Sequence, residues 1–397
     1  MTETCYLNAT GILCAAGASY AELSRQFQRP GKTLTQSSAF SIDGRSLPLG
    51  MYRGALPPVH GAGDHWDGRN NRMAQAALEQ MRPDVEAAIA RYGSHRVGVV
   101  IGTSTSGIGD NEPGIRHWVQ SGKLPDGFAY SRQEMGAPAA FIAECLGISG
   151  PVYGMSTACS SGAKTLATAR RLIRSGFCDA VIAGGVDTLC AMTINGFSAL
   201  EAVSDSRCNP FSRNRNGINI GEGAALFLVS REPGPVFLAG VGENSDAHHI
   251  SAPDPSGQGA IGVMRAALED ASLGPEAIDY LNLHGTATRL NDQMEATAVH
   301  QVLGPQVACS STKPVTGHTL GAAGAIEAGF CWQLLAQTPP TSLPVHLWDN
   351  QPDPDLPSLN LVQPGMPQSV RYVMSNSFAF GGNNICLILG KSHETNI

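Results

Sequence analysis

VYGMSTACSSGAKTLATARRLIRSG, Val152 to Gly176, reads as a short strand running directly into a helix. Ala163, Leu166, Ala169, Leu172 and Ile173 recur at helical spacing and form one apolar stripe, so the helix must lie on a core. Outward from this unit the same alternation repeats. Val97 to Ile101, Val181 to Ala183 and Tyr280 to Leu283 are short strand-like runs between Ala-rich helical stretches, the pattern of an α/β layered fold. A second copy of the opening unit runs from strand Val307–Ser311 to helix Thr319–Leu335. GEGAALFLVSRE (Gly221–Glu232) is matched in pattern by FGGNNICLILGKS (Phe380–Ser392). Such self-similarity indicates an internal duplication. The border falls at Pro233, Gly234 and Pro235, dividing the chain into halves 1–235 and 236–397.

Composition bounds the function. A chain of 397 residues with 42% hydrophobic content can bury one large core or two medium ones, and 46 glycines with 25 prolines indicate tight turns. The formal net charge of −7 argues against nucleic acid or an anionic membrane as a partner. The N-terminus lacks the make-up of an export signal and no later stretch is long enough to span a membrane, so the sequence reads as cytoplasmic. The ten cysteines contain no CxxC pair and read mostly as buried reduced thiols, and no metal site is expected. Gln28–Asn71 and Asn244–Gly259 are irregular. The second carries His248 and His249 and is expected near the middle of the molecule.

One cysteine has a context that asks for chemistry. Cys159 falls at the strand-to-helix turn, where unpaired N–H groups and the positive end of the helix dipole, worth roughly 0.3–1 kcal/mol, favour a thiolate. Ala158, Ser160, Ser161 and Gly162 let a carbonyl approach the backbone, as an oxyanion hole requires. A buried core cysteine at a tight junction is equally consistent with this segment alone. SSGAKT lacks the glycine spacing and Gly-Lys-Ser/Thr order of a phosphate loop. YLNLHGTATRLND (Tyr280–Asp292) ends a strand at His284. CSSTKPVTGHTLGAAGAIEAG (Cys309–Gly329) carries Lys313, His318 and Glu327 on an otherwise apolar stretch, where Lys313 is the partner available to a buried Glu327. SNSFAFGGNN (Ser375–Asn384) sets two phenylalanines beside a glycine pair, a loop able to move over an apolar site.

Together these segments resemble the β-ketoacyl-[acyl carrier protein] synthases of the thiolase superfamily, in the elongating Cys-His-His branch, over nearly the whole chain. The resemblance implies duplicated βαβαβαββ halves packed as five α-β-α-β-α layers. It also implies decarboxylative Claisen condensation of an enzyme-bound acyl group with malonyl-[acyl carrier protein]. Carried onto this sequence, Cys159 is the nucleophile, and His284 and His318 stabilise the enolate. Lys313 and Glu327 organise them, and the N–H groups of Cys159 and Phe380 form the oxyanion hole. Thr286, Thr288 and Phe378 contact substrate and Asp292 is structural. No cofactor is implied, because the phosphopantetheine arrives on the carrier. The partners implied are an acyl carrier protein and either a second copy or a homologous chain-length factor. Arg69, Arg72 and Lys123 are the candidate carrier contacts. Cys159→Ala should abolish loading, and His318→Ala should spare loading and block decarboxylation.

Ala379 stands where the family usually has glycine and Arg289 where proline is common, and Ile101–Met135 matches a housekeeping enzyme poorly. These departures incline the pathway toward specialised polyketide or polyene products, including aryl polyenes, with saturated fatty acyl chains still open. A silent chain-length-factor-type subunit would lack the cysteine, and a thiolase would carry a second cysteine in place of one histidine.

Overall fold

The computed structural model describes residues 4–337, 342–366 and 369–392, so the outermost ends of the two halves, 1–3 and 393–397, lie outside the described residues. The N-terminal half contains β1 (Tyr6–Cys14), α1 (Tyr20–Gln28), β2 (Thr35–Ser37), β3 (Leu47–Leu49), α2 (Arg69–Glu79), α3 (Arg82–Tyr92) and β4 (Val97–Gly102). It continues with α4 (Ile108–Ser121), α5 (Ala137–Leu146), β5 (Val152–Met155), α6 (Ser161–Arg174), β6 (Ala180–Asp187), α7 (Ala191–Ala199) and β7 (Gly223–Ser230). The C-terminal half contains β8 (Val236–Ser245), α8 (Gln258–Ala271), β9 (Tyr280–Asn282), α9 (Arg289–Val302), β10 (Ala308–Ser310) and α10 (Lys313–Thr316). After these come α11 (Ala323–Ala336), β11 (Asn360–Leu361), β12 (Tyr372–Phe378) and β13 (Asn383–Lys391).

The main sheet runs β11-β10-β9-β12-β13-β8-β1-β7-β6-β4-β5. From its centre outward the two sides correspond strand by strand: β1, β7, β6, β4, β5 on one and β8, β13, β12, β9, β10 on the other, with β11 added at the edge. The halves join where β1 meets β8 through the pairs Tyr6–Phe237 and Leu7–Val236.

Side-chain alternation turns these halves into layers. Ala225, Phe227 and Val229 of β7 face a core shared with Ile385, Leu387 and Leu389 of β13 and with α6 and α11. Leu226 and Leu228 point the other way, onto α2 and α5, while Cys386 and Ile388 point onto α8 and α9. Period-2 alternation in a strand buried on both faces requires apolar residues on both, and these strands have them. The five layers are therefore α2/α3/α5, the first half-sheet, α6 with α11, the second half-sheet, and α8 with α9.

The central helices meet at two glycines. A Cβ on Gly162 would lie 2.8 Å from the Ala325 Cβ, and one on Gly324 would lie 2.7 Å from the Ala163 Cβ. No larger residue permits that approach, which brings the amino ends of α6 and α11 together. α11 starts at Ala323, later than the Thr319 read from the sequence, because Leu320–Ala322 forms a tighter 3-10 turn.

Candidate active site

At the β5–α6 junction, Ala158 takes φ 52, an uncommon conformation for a residue with a side chain. The neighbouring hydroxyls hold it there. Thr157 N–H donates to Ser161 Oγ at 2.9 Å, Ser160 Oγ–H donates to the Thr157 carbonyl at 2.8 Å, and Ser161 Oγ–H donates to the Ala158 carbonyl at 2.6 Å. Cys159 is thereby presented just before α6 at the base of a cleft of about 470 Å³, which His284, His318, Thr286, Thr288, Phe378 and Phe380 also line.

Burial dominates the thiol. It pushes Cys159 up to about 12, against the lowering effects of Lys313 and the Phe380 N–H. The helix-terminus effect expected to favour a thiolate is smaller than this desolvation, so the resting group is the neutral thiol. A proton acceptor is at hand: His318 Nε2 lies 3.1 Å from Cys159 Sγ.

His318 is positioned by the segment before β7. Its N–H donates to the Asn219 carbonyl at 2.6 Å, and its carbonyl accepts from Gly221 N–H at 2.9 Å. Gly317, at φ 72, packs so closely that an added Cβ would meet the Gly221 Cα at 2.9 Å. His284 follows β9, with its ring centroid 5.4 Å from that of His318 and 6.0 Å from that of Phe378. Burial, followed by the Lys313 charge, holds both imidazoles well below the usual histidine range, so both are neutral.

Lys313 sets the tautomer of one of them. Its Nζ donates to the His284 carbonyl, lies 3.5 Å from His284 Nδ1 and is 2.5 Å from Glu327 Oε1. An ammonium only donates, so Nδ1 keeps its lone pair and the proton sits on Nε2. His318 Nδ1 has no hydrogen-bond partner among the described residues, so either tautomer is open to that ring. Phe380 packs on Phe197 with centroids 5.5 Å apart. Ala379 adopts φ −115 and ψ 155, extended backbone that alanine takes without strain, while Gly381 and Gly382 hold the left-handed positions.

Asp292 is wholly buried. Its carboxylate accepts from Phe211 N–H at 2.8 Å and Ala287 N–H at 3.2 Å. Those two residues sit at φ 62 and 64, so the acid secures two strained turns. Burial pushes it up to about 6.

Sequence reasoning missed Glu295, one helical turn on. Its oxygens accept from His284 N–H at 2.8 Å and Gly285 N–H at 2.7 Å, clamping the histidine's backbone. The available signal was a second acid at i+3 on α9, a helix whose Met294, Ala296, Ala298 and Val299 are all buried. Burial pushes Glu295 up to about 7. The native state therefore holds a proton that the unfolded chain releases near pH 4.5, and stability falls as pH rises from there through 7. Glu295→Gln should flatten that slope and, by leaving one amide N–H facing a donor, cost about 1–3 kcal/mol at pH 5. Urea melts at pH 5 and 7.5 measure both effects.

Other expectations are displaced. Asn244–Gly259 does not lie at the centre of the molecule. Its residues His248, His249 and Ile250 are exposed, and Asp246, Ser251, Ala252 and Pro253 line the cleft. Its backbone polar groups need solvent, which a buried loop could not supply. The loop is bonded to the 378–384 turn through Gly381 N–H to the Ile250 carbonyl at 2.8 Å and Asp246 N–H to the Gly382 carbonyl at 2.9 Å. Arg69 and Arg72 are not free cations. Arg69 grips the buried Glu222 with contacts of 2.9 and 2.5 Å, and Arg72 pairs with Asp67 at 2.6 Å. Lys123 is exposed just beyond α4. None of the three lines the cleft.

Family models for the β-ketoacyl synthase N-terminal domain and C-terminal domain match residues 69–233 and 236–344. The chain belongs to the β-ketoacyl synthase family. The synthase is 33% identical over 348 residues to 3-oxoacyl-[acyl-carrier-protein] synthase 2 of Staphylococcus aureus (strain COL), covering 81% of this chain and 82% of that protein. It is 36% identical over 308 residues to nodulation protein E of Rhizobium meliloti, covering 74% and 75%. Its fold matches a chain of the ketosynthase solved in complex with its chain length factor from Xenorhabdus doucetiae. That match has a TM-score of 0.92 and 44% identity over 98% of each chain. The synthase is a decarboxylating acyltransferase that joins an enzyme-bound acyl group to malonyl-[acyl carrier protein] and releases 3-oxoacyl-[acyl carrier protein]. Among the described residues no helix is long and apolar enough to cross a membrane, and no group of His, Cys, Asp and Glu gathers to hold a metal.

Proposed function

We propose that Cys159 is the acyl acceptor of this synthase and that His284 and His318 manage the proton and the oxyanion. The observation that carries the proposal is the convergence of one thiol and two neutral imidazoles, from three distant segments, on a single cleft. In loading, the Cys159 thiol gives its proton to His318 Nε2 and attacks the acyl thioester. The oxyanion rests on the N–H groups of Cys159 and Phe380. It collapses with loss of the pantetheine thiolate, which takes the proton from His318.

In condensation, the malonyl carboxylate leaves as CO2 and its bonding electrons form an enolate, whose oxygen accepts from Nε2–H of His284 and of His318 in that tautomer. The enolate carbon attacks the acyl carbonyl, the bond to Cys159 breaks, and the released thiolate takes a proton from water. Thr286 and Thr288, whose hydroxyls are 2.9 Å apart, would contact the pantetheine amides, and Phe378 the acyl chain. These steps are accounted for by protein groups, with the pantetheine brought by the carrier.

The working partner is an acyl carrier protein, and the synthase pairs with a second copy or a homologous chain-length factor. Among the described residues edge strand β5 has only β4 beside it, and α4 exposes Trp118 and Val119 by 52% and 73%. The 44% identity to a chain of the X. doucetiae complex favours the heterodimer and a specialised acyl product. A thiolase would place a second cysteine in the site, whereas among the described residues Cys159 is the one cysteine lining this cleft. The halves 1–235 and 236–397 would each act as one thiolase-like unit. Ten separate thiols suit a reducing cytoplasm.

Incubation with acyl- and malonyl-loaded carrier should yield a 3-oxoacyl-carrier two carbons longer, with one CO2 per turnover. An acyl adduct on a residue other than Cys159 would overturn the assignment.

A further inference from the structure

The mouth of the cleft holds charge that the condensation does not use. Arg289, the first residue of α9, lines the cleft, is exposed, and has no hydrogen-bond or ion-pair partner among the described residues. Thr288, the residue before it, does not cap the helix, because its hydroxyl is engaged with Thr286 Oγ1 at 2.9 Å. The first-turn N–H groups of α9 therefore have no side-chain acceptor at the rim.

A second, independent feature lies beside them. Arg215 lines the same cleft although only 9% exposed, and its Nε has no partner among the described residues. Its Nη1 meets Asp353, the carboxylate whose proton affinity Arg289 also lowers. Arg215 alone is ion-paired to that acid, and Arg289 acts on it only through space. Of the acids lining the cleft, Asp246 is already bonded to Asn384 Nδ2 at 2.6 Å and Asp254 N–H at 3.1 Å, and Glu201 is exposed beyond α7. Neither of these carboxylates is ion-paired with Arg289 among the described residues.

A substrate seated at Cys159 has two anions to offer. The malonyl carboxylate must be lost beside the histidines at the base, so it is not the one at the rim. The phosphodiester lies at the far end of the pantetheine arm from the thioester. A proline at position 289 would supply neither a cation nor an N–H group. We propose that Arg289, with the uncapped amino end of α9 and the Arg215 guanidinium behind it, holds the phosphodiester of the carrier's pantetheine arm. The inference rests on Cys159 being the acyl acceptor.

The test compares acyl transfer to Cys159, followed by intact-protein mass, from acyl-pantetheine, acyl-phosphopantetheine and the acyl carrier protein. For the wild type, kcat/KM should be about fivefold higher with the phosphate than without it, and this ratio should fall to about one in Arg289→Ala. Arg289→Lys should keep part of the preference, and Arg289→Glu should reverse it. High salt should narrow the wild-type ratio. A preference that survives Arg289→Ala overturns the proposal. So does a loss confined to the carrier-borne donor, which would place Arg289 on an acidic carrier side chain. If the wild type loads from none of the three, the assignment of Cys159 fails and this inference falls with it. If it loads equally from both small donors, only the phosphate contact fails.

Discussion

Cys159→Ala should form no acyl-enzyme and lose condensation by about four orders of magnitude or more, the scale seen when a covalent nucleophile is removed. The substitution takes away the sulfur and leaves the rest of the machinery in place: the N–H groups of Cys159 and Phe380, both histidines and the cleft. Any residual rate would measure what binding and the oxyanion hole do alone. Among the described residues Cys159 is the one cysteine lining the cleft, and the half-exposed Cys145 lies outside it, so no other cysteine is placed to substitute. Intact-protein mass after exposure to an acyl carrier protein reads the result. An adduct of undiminished yield would place the nucleophile elsewhere.

The two histidines should separate by step. His284 is a fixed donor, because Lys313 faces its Nδ1 and leaves the proton on Nε2. His284→Ala should permit loading of Cys159 while slowing malonyl decarboxylation about 10²- to 10³-fold, the cost of losing one preorganised oxyanion donor. His318 has a second duty, since its Nε2 is 3.1 Å from a thiol that burial holds protonated. His318→Ala should therefore slow loading as well, by about 10²-fold or more. This alters the expectation from sequence, in which loss of His318 spared loading. Single-turnover loading and CO2 release, measured separately on the two variants, decide the matter. Equal loading in both would remove His318 from the first half-reaction.

Much of the site was legible because its chemistry is carried by local motifs. STACSSG, LHGTAT and KPVTGHTLGAAG each set a reactive residue among small ones, and the charged pair Lys313 and Glu327 on so apolar a stretch demanded partners. Glu295 was not legible, because an acid on a helix is ordinarily solvated and only the packing of α9 shows this one buried against the backbone of His284. The same holds for Arg69, an ordinary surface cation by sequence, whose partner Glu222 lies 153 positions away.

By itself the sequence determined the alternation of strands and helices and the duplicated pattern, and it singled out the candidate nucleophile and its two imidazoles. Periodicity and small-residue motifs are local properties of a chain. Tertiary structure decided the state of those groups: a thiol kept neutral, one imidazole held in a single tautomer, and a rim arginine left without an ion-pair partner among the described residues. Those properties depend on desolvation and on charges brought close from distant segments. The α6–α11 crossing at Gly162 and Gly324 brings two of those segments together.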